Sequence, residues 1–266
     1  MTDTGHGQDR RGLRGRTALV TGGSRGIGRA VVTALAARGA RVAFTYRRDR
    51  EAADDLLRQV CKEGGQVHAH RADAEDLAGV ERLVEEIHRD VGAVDLLVSN
   101  AGGASRGRRI AETSADEFQH LMSVHALGPV QLIRALLPDL RAAGRADVVV
   151  ISSAISSEAP PFAAPYTMAK AAMEAAARTL AREERPHGVR VNVVAPGLVA
   201  TDMGERLVRA SAGVGVGELD QEAPFGRVCR PEDVAEVVAF LATDAAAYVS
   251  GQRINVDAGG PDTTIY

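Results

Sequence analysis

Lysine is nearly missing from this chain. Only Lys62 and Lys170 occur in 266 residues, and arginine carries almost all the other positive charge. Cysteine is as scarce. Cys61 and Cys229 supply neither a disulfide framework nor a metal cluster, and two thiols fit a reducing, cytoplasmic setting. There is no basic excess: a formal net charge of -3 argues against nucleic acid as the main partner. No apolar run reads as long enough to span a bilayer, so no membrane is expected as a partner. The opening MTDTGHGQDRRGLRGR has no apolar centre of the kind a secretory signal needs. Residues 1–13 are expected to form a flexible tail, and residues 261–266 a second one. No break in composition and no internal repeat divides the chain, which leaves one domain over about 14–260. The excess of Ala, Arg, Gly and Val over Lys is the composition expected of a high-GC bacterial genome.

What is present is regular. At 45% apolar residues the chain can bury a substantial core. Continuous apolar runs (TALVTG, GARVAFTY, QVHAHRAD, VDLLVSNAG, DVVVISS, VRVNVVAPG, QRINVDAGG) alternate with helical periodicity. Helices are expected over 51–63, 76–89, 114–137 (stopped by Pro138), 164–184 and 231–243. Strands apolar along their whole length suit a parallel sheet covered on both faces. The pattern predicts an α/β fold, a single doubly wound parallel sheet of Rossmann type flanked by helices on both faces. The stretch 198–224 is the one long segment without periodicity, and its glycines suit a substrate loop or lid.

TGGSRGIG lies where the first strand meets the first helix. Glycines there let the backbone approach a ligand, and the helix N-terminus offers free N–H groups and a positive dipole end to a pyrophosphate. The spacing, Gly22-x-x-x-Gly26-x-Gly28, departs from Gly-x-Gly-x-x-Gly. At the end of the second strand, FTYRRDR offers Thr45, Tyr46, Arg47 and Arg48 where an acid would hold ribose hydroxyls; Asp49 comes late for that role. With Arg25 in the turn, these guanidiniums suit a 2′-phosphate, and NADP(H) is the expected cofactor. Asp73 could meet an adenine edge or cap a helix.

Lys170 follows Tyr166 by four residues, so both side chains share one helix face. A compact ammonium can sit close to a phenol in a way a guanidinium does not. TGGSRGIG, NAG at Asn100–Gly102, ISS ending at Ser153, YTMAK at Tyr166–Lys170 and NVVAPGLVATDM from Asn192 occur together and in order. In these motifs the chain resembles the short-chain dehydrogenase/reductases from about residue 14 to 260, and within them the 3-oxoacyl-[acyl-carrier-protein] reductase and polyketide ketoreductase branch. The resemblance implies Tyr166 as general acid, Lys170 as its electrostatic support and Ser153 as hydrogen-bond donor to the substrate oxygen. It implies a nucleotide held by Gly22, Ser24, Arg25, Gly26, Ile27 and Gly28. Around its adenosine and ribose would lie Tyr46, Arg47, Arg48, Asp73, Ala74, Asn100, Ala101 and Gly102. Tyr166, Lys170, Pro196, Gly197, Val199 and Thr201 would surround the nicotinamide. It also implies a homotetramer or homodimer built through the long helices.

One motif departs. His125, in SVHALGPV, stands where the family carries Asn. In the family this position holds a water largely through its backbone carbonyl. Pro129 lies four residues later and has no N–H, so the His125 carbonyl lacks its helical partner. Two readings follow: a preserved water site, with an imidazole that adds a group titrating near neutrality, or a histidine that simply packs and hydrogen-bonds. Substrate walls are expected from Ile155, Phe162 and Met203, a mainly apolar lining; Arg106, Arg108 and Arg109 either greet an anionic carrier or form a solvated loop. The resulting expectation is an NADPH-dependent reductase of a hydrophobic ketone (3-oxoacyl or polyketide-like). An NAD(P)-dependent dehydrogenase of a sugar, steroid or small alcohol is the alternative, followed by a non-catalytic cofactor-binding protein. No metal is expected.

Overall fold

A computed structural model describes residues 12–260 of the chain; the two tails assigned to 1–13 and 261–266 lie outside these residues, except for Gly12 and Leu13. Leu13 is fully buried in the core, and its N–H donates to the Arg38 carbonyl, so the folded unit takes in this residue.

Seven strands form one sheet: β1 (Thr17–Val20), β2 (Arg41–Tyr46), β3 (Gln66–Arg71), β4 (Leu96–Ser99), β5 (Ala146–Ile151), β6 (Val189–Pro196) and β7 (Arg253–Val256). Their order is β3-β2-β1-β4-β5-β6-β7 and every pairing is parallel. Side chains alternate across the sheet, and both faces are apolar. Ala18, Val20, Leu96 and Val98 face the core under α1 (Gly26–Ala37), α2 (Arg50–Lys62) and α9 (Pro231–Leu241). Leu19, Leu97, Val148 and Val150 face the other, under α3 (Val80–Val91), α5 (Gly128–Ala142) and α7 (Ala164–Glu183). Burying each of these Val and Leu side chains contributes about 1.5–3 kcal/mol. The chain winds outward from β1 to β3 and returns through β4, so a crevice opens beyond the carboxyl ends of β1 and β4, where this topology binds ligands.

Three expectations are corrected. The helix beginning near residue 114 does not stop at Pro138. It runs as α4 (Ala115–Met122), a π turn over Ser123–Leu127, and α5, which contains Pro138. Pro138 and Arg134, whose carbonyl loses its partner, are both exposed, so water can satisfy the carbonyl. Leu136 and Leu140, fully buried, hold the helix to the sheet on the opposite side. The composite run Ala115–Ala142 is long and apolar enough to cross a bilayer by length and composition, and half of its most apolar window is buried inside the fold. The stretch 198–224 is largely ordered: α8 (Asp202–Ala212) follows a Thr201 cap, and short helical turns cover Val216–Leu219 and Pro224–Gly226. Its apolar residues, among them Val208, Leu219 and Val228, close a small core of their own.

Candidate active site

The glycine turn is fixed by hydrogen bonds from the neighbouring strands. The Thr21 hydroxyl oxygen accepts from the Asn100 and Ala101 N–H groups, both at 2.9 Å. The Asn100 amide donates to the Thr21 and Gly22 carbonyls at 2.9 and 3.1 Å, and the Gly22 N–H donates to Thr45 Oγ1 at 3.1 Å. Gly28 has to be glycine: a Cβ there would lie 2.2 Å from the Gly22 carbonyl oxygen and 2.5 Å from the Asn100 amide nitrogen. Asn100 thus acts on the turn itself. Thr21, which sequence reading missed, is the strand-end hydroxyl that ties β1 to β4. Among the described residues no side chain caps the start of α1, so its first N–H groups face outward with the positive end of the helix dipole.

A cavity of about 530 Å³ gathers most of the expected residues. Its lining includes Gly22, Ser24, Arg25, Gly26, Ile27 and Gly28 from the turn, and Tyr46, Arg47 and Arg48 from the end of β2. Asp73, Ala74, Asn100, Ala101, Gly102, His125, Tyr166, Lys170, Thr201 and Met203 complete it. Arg206 on α8 joins them, a cation whose position no motif marked. Two carboxylates near the arginines have local duties. Asp49 caps α2 through the Ala52 N–H at 2.9 Å, and Asp73 accepts from the Glu75 N–H at 3.2 Å with Arg47 4.0 Å away. Asp73 is therefore a turn cap at the rim of the cavity. Thr201 caps α8 by accepting from the Gly204 N–H at 3.1 Å, and its methyl group faces Gly26.

Other expected residues lie outside this lining. Ile155 is half-buried on α6 (Ile155–Glu158), and Phe162 is exposed in the turn that follows, with the Arg109 guanidinium 5.8 Å above its ring. Val199 is buried and pairs with Cys229. Gly197 lines a second cavity of about 470 Å³ with Ala154, Leu198, Leu207 and Phe225. Pro196 ends β6, and its carbonyl accepts from the Ala154 N–H at 2.8 Å, which sets the Ser153 segment beside it. Of the two adjacent serines, Ser152 lines the first cavity, but it is buried and donates to Glu174 at 2.5 Å; Ser153 is half-buried. The loop arginines are partly tied down: the Arg106 N–H donates to the buried Glu117 carboxylate at 2.7 Å.

Tyr166 and Lys170 project from one face of α7. Lys170 is buried; its ammonium donates to the Ile151 carbonyl at 2.7 Å and lies 5.7 Å from the centre of the Tyr166 ring. Burial pulls this amine down to about 8, with the Glu174 carboxylate pulling the other way. His125 meets the Tyr166 ring edge-on, with ring centres 5.0 Å apart. Its Nε2 lies 2.8 Å from the Gly103 carbonyl oxygen. Donation to that oxygen is the sensible tautomer, because it leaves Nδ1, which has no partner among the described residues, as a bare acceptor and not as a buried unpaired donor. The ring also occupies the place of a side chain on Gly102, where a Cβ would lie 2.4 Å from His125 Cε1. Burial, and then the Lys170 charge, push the imidazole down to about 3. It is neutral at physiological pH, which corrects the expectation of a group titrating near neutrality. The π turn around His125 accommodates Pro129: the Gly128 N–H reaches back five residues to the Ser123 carbonyl.

Fold and cavity together describe a dinucleotide-binding α/β protein. The family model described as Enoyl-(Acyl carrier protein) reductase, one of the short-chain dehydrogenase/reductase models, matches residues 22–260. The versicolorin reductase of Emericella nidulans is 35% identical over 255 residues, covering 93% of this chain and 96% of its own. The 3-oxoacyl-[acyl-carrier-protein] reductase of Escherichia coli is 34% identical over 249 residues, covering 93% and 98%. Among solved structures, a dehydrogenase/reductase from Sinorhizobium meliloti superposes with a TM-score of 0.86 at 33% identity, covering 94% of this chain and 96% of that one. A blue fluorescent protein from a metagenomic library, in complex with NADPH, superposes with a TM-score of 0.84 at 34% identity, covering 93% and 98%. The chain belongs to the short-chain dehydrogenase/reductase family and is an oxidoreductase.

Proposed function

We propose that this protein is an NADPH-dependent reductase of hydrophobic ketones, 3-oxoacyl or polyketide-like. The observation that carries the cofactor choice is the end of β2. Arg47 and Arg48 stand there, Arg25 lines the same cavity from the glycine turn, and the neighbouring carboxylates Asp49 and Asp73 are engaged in local caps. A 2′-phosphate suits those guanidiniums, whereas bare ribose hydroxyls would find no free acid. The glycine cradle and the uncapped start of α1 fit the pyrophosphate. When bound, NADPH supplies the hydride that reduces the carbonyl carbon.

The residues of the chain supply the proton and the orientation. Tyr166 gives its phenolic proton to the carbonyl oxygen as charge develops there. Lys170 favours the phenolate left behind and is itself held by the Ile151 carbonyl. Ser153 donates a hydrogen bond to the same substrate oxygen, while Ser152 is committed to Glu174. His125 steadies the Tyr166 ring from the side and fastens the Gly102–Gly103 backbone. Its carbonyl, denied the N–H of residue 129 by proline, remains the candidate water holder. An apolar substrate portion fits the Leu198–Leu207–Phe225 cavity beside Ser153 better than the exposed Phe162 wall.

A homotetramer suits the exposed apolar residues outside the cavity, Leu127 and Met168 on the long-helix face and Phe240 and Tyr248 near the last strand. Sedimentation gives its mass directly. A cytoplasmic location accords with the two free cysteines, Cys61 exposed and Cys229 half-buried.

The test is turnover with NADPH and NADH against a ketone panel, in wild type and Tyr166→Phe. NADPH consumption that Tyr166→Phe lowers by about 10²–10⁴-fold supports the reading. Oxidation of an alcohol with NADP⁺ but no ketone reduction sinks it in favour of a dehydrogenase, and nucleotide binding without turnover in either direction favours a scaffold.

A further inference from the structure

A second charged group lies one helical turn beyond Lys170. Glu174 is buried on α7, in line with Tyr166 and Lys170 at successive four-residue steps. Its carboxylate accepts from the Ser152 hydroxyl at 2.5 Å, from the Ser156 hydroxyl at 2.6 Å and from Arg253 Nε at 3.1 Å. Arg253, on β7, is largely buried and reaches the same segment from the other side. Its Nη2 donates to the Ser153 carbonyl at 3.2 Å and to the Ser156 and Ser157 hydroxyls, both at 3.1 Å. One ion pair thus holds three serines and the backbone of a fourth between α7 and β7. A buried carboxylate without such partners would cost several kcal/mol, and an apolar pair of similar volume would fill the same space without that risk. A buried charge kept here needs a reason beyond packing.

We propose that Glu174 and Arg253 are positioning residues for the reaction: together they fix the Ser152–Ser157 segment, and so the Ser153 hydroxyl, against α7, and Glu174 sets the charge that faces Lys170 from the next turn. This rests on the reading of Tyr166 and Lys170 as the reactive pair. The groups around Lys170 are Tyr166 and Glu174 on its own helix, His125 from the π turn and the Ile151 carbonyl from β5. Those around Glu174 are Lys170 and Arg178 on α7, Arg253 on β7, and Ser152 and Ser156. Among the described residues, Glu174 is the carboxylate that acts on Lys170, and it opposes the effect of burial on the amine.

The scarcity of lysine makes the test direct. Protein labelled with 13C at lysine Cε gives signals from only Lys62 and Lys170, and Lys62, exposed at the end of α2, is the internal reference. Glu174→Gln keeps the shape and removes the charge. It is expected to lower the Lys170 titration midpoint by about one pH unit without moving Lys62. It is also expected to lower kcat for a short 3-oxoacyl thioester with NADPH by about tenfold, with the NADPH Kd unchanged. Glu174→Asp retains the charge and restores the midpoint. Arg253→Met lowers kcat to a similar extent, again without weakening NADPH. A folded Glu174→Gln protein whose Lys170 midpoint and kcat both match wild type overturns the proposal. Tyr166→Phe run in parallel separates the two levels. If it is inactive while Glu174→Gln is unaffected, only the positioning role falls; if it retains full turnover, the reactive-pair reading falls and takes this proposal with it.

Discussion

The two ends of the sheet treat charge in opposite ways. At the amino end, Arg16 bridges Asp95 and Asp147 at 2.6 and 2.9 Å, Arg190 meets Asp147 at 2.6 Å, and Arg145 pairs with Asp244. Arg16, Arg145 and Arg190 are thus matched by Asp95, Asp147 and Asp244. At the carboxyl end, the cavity is lined by Arg25, Arg47, Arg48, Arg206 and Lys170 against Asp49, Asp73 and Asp202. Among the described residues, no side chain caps the helix that starts there. The amino end neutralises its charges internally and serves the fold. The carboxyl end carries positive charge in excess of its carboxylates, mostly on exposed arginines, and an anionic ligand would complete it. Charge balance and burial therefore separate a structural network from a ligand site together: Arg16, Asp147 and Arg190 are largely buried and matched, whereas Arg25, Arg47, Arg48 and Arg206 are exposed and outnumber the carboxylates beside them.

The largest expected effect breaks the balanced end. The Asp147 side chain is almost completely buried and faces both Arg16 and Arg190. Asp147→Asn leaves Arg190 without its carboxylate and Arg16 with Asp95 alone, and should lower stability by about 3–5 kcal/mol, read by denaturant unfolding, with NADPH affinity of the folded fraction unchanged. A loss in affinity as large as the loss in stability would erase the distinction between the two ends. Next, Arg47→Ala with Arg48→Ala should weaken NADPH by about 1.5–3 kcal/mol and leave NADH within a factor of two, read by calorimetry. Equal losses for both nucleotides would show that the arginines do not meet the 2′-phosphate.

A smaller effect sharpens the comparison through pH. His125 titrates at about 3 in the fold, below its ordinary value of about 6.5. As pH falls, the unfolded chain takes up the proton first, so the stability this neutral histidine contributes is full above pH 6.5 and drains away toward pH 3. His125→Asn removes that titration. Its unfolding free energy should fall less steeply than that of wild type between pH 6.5 and 4, and parallel curves would mean that the ring is not held neutral. The smallest expected change is in kcat for the same variant, within about tenfold, because Asn can still donate to the Gly103 carbonyl but does not support the Tyr166 ring.

Much of this was legible in the chain. Apolar runs alternating with helical periodicity fixed seven parallel strands and their covering helices, because local pattern and the two-faced burial of a parallel sheet agree at every element. TGGSRGIG, the arginines after β2 and the Tyr166–Lys170 spacing marked the cavity, because each acts through local backbone or through one helix face. Other features depended on contacts distant in sequence. Pro138 did not end its helix, because Leu136 and Leu140 anchor the other side; the 198–224 stretch ordered itself around Val208, Leu219 and Val228 without a clear period. The neutrality of His125 required Gly102, Gly103 and Lys170 to close around one ring, and no residue near it in sequence announces them. The Glu174–Arg253 pair spans 79 positions. Periodicity and motif spacing are local and survive in one dimension, whereas desolvation and charge pairing depend on which distant groups the fold brings within a few ångströms.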